Sequence, residues 1–176
     1  VSSNSSDTQP LCLDGEDMEL QTVRIDGKPL SQDSYSLPER SLTIQDVPDT
    51  VDLEIENRIK PRANTKLEGL YLSGGNFCTQ CEPEGFRRIT YILDRPDVLS
   101  EYTVTVRAPQ KNCPVLLSNG KNISSRPLPD GMHEGTWHDP HPKPCYPFAL
   151  VGGALQHIEH NYTTASRREV STPSTA

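Results

Sequence analysis

At 176 residues the chain has the length of one domain. Its apolar fraction of 33% is low, and 16 prolines with 11 glycines promise many turns, which excludes collagen and wholesale disorder but leaves a modest core. No apolar run is long enough to cross a membrane as a helix, and a net charge of −7 disfavours nucleic-acid binding, whose phosphate contacts need clustered Lys and Arg.

Residues 1–10 read as a disordered polar tail, rich in Ser, Asn and Asp and without the apolar segment of a secretion leader. Period-two alternation dominates the rest of the chain. Val23-Arg24-Ile25-Asp26 alternates into Asp26-Gly27, a strong hairpin signal. Ser41 to Gln45 and Val51 to Glu56 alternate next, with aliphatic side chains on one sheet face and polar ones on the other. Asp94 to Leu99 is the best helical candidate, one or two turns with Asp94 as cap and Pro96 early in the turn. Tyr102 to Arg107 returns to the strand pattern, and Val115-Leu116-Leu117 ends at a Ser118-Asn119-Gly120 turn. Cys145 to Val151 reads as a strand covered on both faces, with Pro147 marking an edge or a bulge. Gly152-Gly153 reads as a bend at its end, and residues 166–176 as a second disordered tail. The expected fold is all-β: an antiparallel β-sandwich.

Five cysteines, an odd number at low density, read as reduced thiols of an intracellular chain rather than as a disulfide framework. Glycosylation triplets at Asn4, Asn122 and Asn161 are the opposing signal. Cys78-Thr79-Gln80-Cys81 has the spacing of half a zinc site or of a redox pair. Cys113 and Cys145 stand alone, however, and no parallel α/β context surrounds the motif. The histidines gather late, at His133, His138, His141, His157 and His160. His157-Ile158-Glu159-His160 has the wrong order and spacing for a zinc helix and reads as a solvated loop, as does the proline-rich stretch from His138 to Pro142. No nucleophile elbow, phosphate loop or dinucleotide fingerprint is present.

The loop from Asn76 to Arg88 carries acids, arginines, an amide and two aromatics. Its bland reading is an exposed loop whose charges pair with one another. The sharper reading is a recognition loop, in which Glu82, held before Pro83, meets the ammonium of a peptide amino terminus.

Three collinear blocks sharpen this: Ala63 to Tyr71, Cys78-Thr79-Gln80-Cys81-Glu82, and Gly85 to Thr90. With Asp94 to Val98, Pro114 to Gly120 and Lys143 to Tyr146, the chain resembles the aminopeptidase N (alanyl aminopeptidase) zinc metallopeptidase family, in its bacterial and plastid-type branch. The resemblance covers roughly residues 11 to 170. It implies a saddle-like amino-terminal β-domain over residues 11–165, belonging to a hydrolase that removes amino-terminal residues from peptides. A thermolysin-like catalytic domain is the implied partner, and the cytoplasm or an organelle the implied compartment. Gln80 would line the pocket for the first substrate side chain, and Glu82 would bind the free α-amino group. Peptides are the implied substrates; charge and hydropathy already speak against nucleic acid and membrane as partners.

The family's zinc ligands, its GAMEN loop and its transition-state tyrosine are not in this sequence, so no cofactor is expected within the chain and no catalysis from it alone. Pro147 stands at a usual leucine, Asn112-Cys113-Pro114 at a Lys-Tyr-Pro-like segment, and Arg167 at a usual turn glycine, where strain is expected. The stretch after Val170 departs from the expected strand, so the sandwich reads as incomplete at both ends, with exposed edges. The competing function is a free-standing β-sandwich that binds a partner without catalysis.

Overall fold

The structure is a computed structural model that describes residues 10–175, with backbone alone at 157–160 and 171–175. The tail expected over residues 1–9 lies outside the described residues. The described residues form fifteen strands. These are β1 Leu11–Asp14, β2 Glu19–Ile25, β3 Lys28–Pro29, β4 Tyr35–Ser36, β5 Ser41–Ile44, β6 Leu53–Arg58, β7 Gly69–Ser73 and β8 Asn76–Gln80. They continue as β9 Ser100–Pro109, β10 Val115–Ser118, β11 Lys121–Pro127, β12 Met132–Lys143, β13 Leu150–Gly153, β14 His157–Thr163 and β15 Glu169–Thr175. Short 3-10 turns, including Phe86–Arg88, are the only helical structure among the described residues.

All the strand pairings are antiparallel, as the alternation predicts. The orders are β1-β5-β4, β3-β2-β6, β10-β13-β8-β7, β11-β12-β9 and the hairpin β14-β15. The first two sheets share a core of Leu13, Val23, Leu42, Ile44 and Val47. Leu42 and Ile44 are fully buried, each worth about 1.5–3 kcal/mol of transfer free energy. The Asp26-Gly27 signal is fulfilled: both residues have positive φ, 50° and 74°, the torsions of a primed turn joining β2 to β3. A second core, of Cys81, Phe86 and Cys145, draws in Ile89, Ile92, Tyr102 and Phe148. Its three rings pack at 4.8–6.3 Å between centroids. Asp14 and Ile92 exchange backbone hydrogen bonds of 2.7 and 3.0 Å, which ties β1 to the segment entering β9.

Several segments differ from the sequence expectation. Residues 94–99 form no helix; a single turn closes there through the Val98 N–H to the Arg95 carbonyl. The apolar run from Cys145 is not one strand, because residues 145–147 turn, with the Phe148 N–H bonded to the Cys145 carbonyl, before β13 begins at Leu150. Pro147 therefore costs no ladder donor. His138 to Pro142 is not a loop but the end of β12, whose register against β9 shifts between Asp139 and Lys143 to admit the prolines. His157 to His160 lie in β14, and residues 169–175, read as tail, form β15 against it. Arg167 has φ of +59°, the strain expected from an arginine at a glycine position.

Candidate functional site

The site grows from β8. Its neighbours β7 and β13 hold it on both edges. Thr79 crosses to β13, where its hydroxyl accepts the Leu150 N–H at 2.9 Å. Asn76 Oδ1 accepts the Ala154 N–H at 3.1 Å and fills the space over Gly153. A strand fixed in this way delivers Gln80 and the residues after it to a defined place.

Beyond Gln80 the chain reverses. The Gly85 N–H bonds the Cys81 carbonyl at 2.8 Å, and the Glu82–Pro83 peptide is cis. Both Gln80 and Glu82 are exposed, and the structure brings them together: Gln80 Nε2 donates to the Glu82 carbonyl at 3.1 Å. The Glu82 carboxylate itself makes no hydrogen bond or ion pair with any described residue. It lines a cavity of about 370 Å³ with Pro83, Glu84, Asp94, Pro96, Cys145 and Tyr146.

The other charges do not simply pair within the loop, as its bland reading expected. Glu84 does reach Arg87 at 3.5 Å. Arg87, however, spends most of its donors on Asp94, through Nε at 2.9 Å and through Nη2 to the Asp94 carbonyl at 3.2 Å. Burial opposes the Arg87 charge, but Asp94, Asp14 and Glu84 outweigh it and hold the guanidinium above its ordinary value. Arg88 turns the other way, bonding Glu16 at 2.6 Å, Glu68 at 2.9 Å and Asp17. These pairs pin the loop to the segment between β1 and β2 and to the segment before β7.

The sequence expectation that Asp94 caps a helix over residues 94–99 is not met, because no helix forms there. The Asp94 carboxylate instead accepts the Arg87 N–H at 3.2 Å, within the 3-10 turn Phe86–Arg88. A partner supplied from seven residues downstream leaves no local signature. The remaining carboxylate oxygen accepts from the Cys145 thiol at 2.9 Å. Burial and the nearby Asp94 carboxylate push the thiols of Cys81 and Cys145 up to about 12.

The cysteines do not fit a zinc site. Cys81 lies in the second core, whereas the Cys78 thiol faces the Tyr71 hydroxyl, a hydrogen bond that holds the phenol above its ordinary value. Among the described residues no group of three or more His, Cys, Asp or Glu side chains could hold a metal ion. Two histidines serve locally: His133 Nε2 lies 2.6 Å from the Cys113 carbonyl, and His138 Nδ1 lies 3.1 Å from the Thr103 hydroxyl.

Fold and loop together define an all-β domain that presents one unpaired carboxylate on a pinned reversal of the chain. The sequence profile of the Peptidase M1 N-terminal domain matches residues 1–146, and the chain belongs to that family. It is 50% identical over 163 residues to aminopeptidase N of Caulobacter vibrioides, covering 93% of this chain and 19% of that protein. Against aminopeptidase N of Escherichia coli the identity is 48% over 162 residues, or 92% and 18% of the two chains. A crystal structure of Legionella pneumophila aminopeptidase A in complex with aspartic acid superposes with a TM-score of 0.88 at 40% identity, over 98% of this chain and 20% of that one. An M1 zinc metallopeptidase of Deinococcus radiodurans shares the fold, with a TM-score of 0.75 at 17% identity over 94% of this chain and 39% of its own. The chain thus spans about a fifth of the length of its aminopeptidase N relatives.

Proposed function

We propose that this chain is the substrate-anchoring domain of a zinc aminopeptidase. In this reading Glu82 binds the free α-ammonium of a peptide, and Gln80 lines the pocket for its first side chain. The observation that carries the reading is the unpaired Glu82 carboxylate on a loop whose other charges are engaged. An ammonium with pKa near 8 is cationic at neutral pH, and a carboxylate facing it selects peptides with unblocked ends. Gln80 bonds the Glu82 carbonyl and so supports the anchor as well as flanking it. Zinc and the groups that activate water belong to a further, thermolysin-like domain, so this chain alone is catalytically silent. The likeness to bacterial aminopeptidases, with five free cysteines, favours the cytoplasm or an organelle as its compartment.

The test is a chimera in which the 163 aligned residues replace their counterpart in the Caulobacter aminopeptidase N. Removing one partner of a desolvated charge pair costs about 2–5 kcal/mol, so Glu82→Ala is expected to lower kcat/KM for alanyl p-nitroanilide about 30-fold or more. Unchanged kinetics would refute the anchor. Zinc-dependent turnover by the chain alone would refute its silence.

A further inference from the structure

We propose that Asp94, acting through Arg87, is a positioning residue for the Glu82 carboxylate, an inference that rests on the reading of Glu82 as the amine anchor. Two glutamates, Glu82 and Glu84, project from the same short reversal, and a substrate ammonium would be attracted to either. Arg87 distinguishes them: its Nη1 lies 3.5 Å from Glu84 and leaves Glu82 unpaired. What aims Arg87 is Asp94, whose side chain is only 1% exposed.

Both oxygens of that carboxylate are occupied. Oδ2 accepts the Arg87 N–H and Nε, and Oδ1 accepts the Cys145 thiol. The Asp94 N–H in turn donates to Asp14 Oδ2 at 3.1 Å, so the group is fixed to β1 as well. The loop is therefore clamped at one end by Gly85 on the Cys81 carbonyl and at the other by Arg87 on Asp94. Asp94 and Glu82 also line the same cavity. Neutralising Asp94 frees a guanidinium beside two other acids, Asp14 and Glu84, and releases the end of the reversal that carries Glu82.

The experiment uses the chimera and the 176-residue chain together. In the chimera Asp94→Asn is expected to raise KM for alanyl p-nitroanilide about tenfold to a hundredfold, the cost of misplacing a binding group by about 1 Å, with kcat changed less than about threefold. Arg87→Lys, which keeps the charge but loses the forked geometry, is expected to do the same and serves if Asp94→Asn fails to fold. In a Glu82→Ala background neither substitution is expected to raise KM further. In the chain itself Asp94→Asn is expected to speed amide exchange at Gly85 and Arg87 while β2 and β6 keep their protection. If Glu82→Ala raises KM but Asp94→Asn and Arg87→Lys leave it unchanged, the positioning role is overturned and the anchor stands. Equal KM increases with and without Glu82 overturn it too, as does unchanged exchange at Gly85. If Glu82→Ala leaves KM unchanged, the anchor reading fails and this inference falls with it.

Discussion

Gly85 shows how tightly the reversal after β8 is built. Its φ of −81° suits any residue, so glycine is required here for space rather than for torsion. A Cβ at this position would lie 2.9 Å from both Cys81 Cα and Gly69 N, and nearer still to the Gln80 carbonyl. All three are backbone atoms that cannot rotate aside. Gly85→Ala must therefore move the reversal that carries Glu82, at a cost of about 2–3 kcal/mol. For a chain of this size that corresponds to a melting temperature lower by about 4–12 °C. Thermal unfolding of the variant followed by circular dichroism measures it, and a melting temperature within 1–2 °C of the parent's (~0.5 kcal/mol) would mean that the loop has room to relax.

At the level of elements, what the sequence revealed depended on how each strand is covered. β2, β6 and β9 turn one face inward and solvate the other, so the pleat is written into their residues; in β9 burial alternates without a break from Ser100 to Pro109. β11 is exposed along its whole length at the edge of its sheet, so it buries no side chain that could mark it. β12 hides for another reason, since its prolines lie where the ladder to β9 is interrupted and need donate nothing. The site divides in the same way. Gln80 and Glu82 are candidates that the family motif marks in the sequence, whereas the Arg87–Asp94 pair joins residues seven apart across a 3-10 turn and carries no motif. The β14–β15 hairpin offers a test at this scale. Its turn closes with the Arg167 N–H on the Thr164 carbonyl at 2.8 Å, and Arg167 sits in the left-handed region, a cost of about 1–2 kcal/mol for a residue with a Cβ. Glycine removes that cost and returns about 0.5–1 kcal/mol through the entropy of the unfolded chain. Arg167→Gly is thus expected to stabilise the hairpin by about 0.5–1 kcal/mol and to slow amide exchange in β14 and β15 about two- to fivefold. Faster exchange would show that the arginine side chain holds the turn.

Across the whole molecule, the second core sets how stability responds to pH. It joins the reversal after β8 to β9 and to the turn before β13, and it buries groups that ionise only in alkali. Burial, first of all, pushes Cys81 and Cys145 from 9.0 up to about 12, and Tyr102 from 10.0 to about 12. In the unfolded chain the thiols lose their protons near pH 9 while the folded core still holds them. Their contribution to stability is therefore complete below pH 9 and is lost as pH rises towards about 12. The acid limb has the opposite sign and smaller stakes. Asp17, Glu134 and Asp139 are held below the ordinary carboxylate range, chiefly by hydrogen bonds from Lys66, Arg107 and Lys143, so their contribution is present above about pH 4 and lost below it. Lys66 and Arg107 are themselves largely exposed, and pairs with such partners contribute little. The melting temperature, measured under reducing conditions, is accordingly expected to decline gently towards pH 4 and steeply above about pH 9. Cys81→Ala lowers it at neutral pH by leaving a small cavity, yet narrows the difference between about pH 7 and pH 10.5, because one buried ionisation is gone. A variant that keeps the full alkaline slope would assign that slope to groups outside this core.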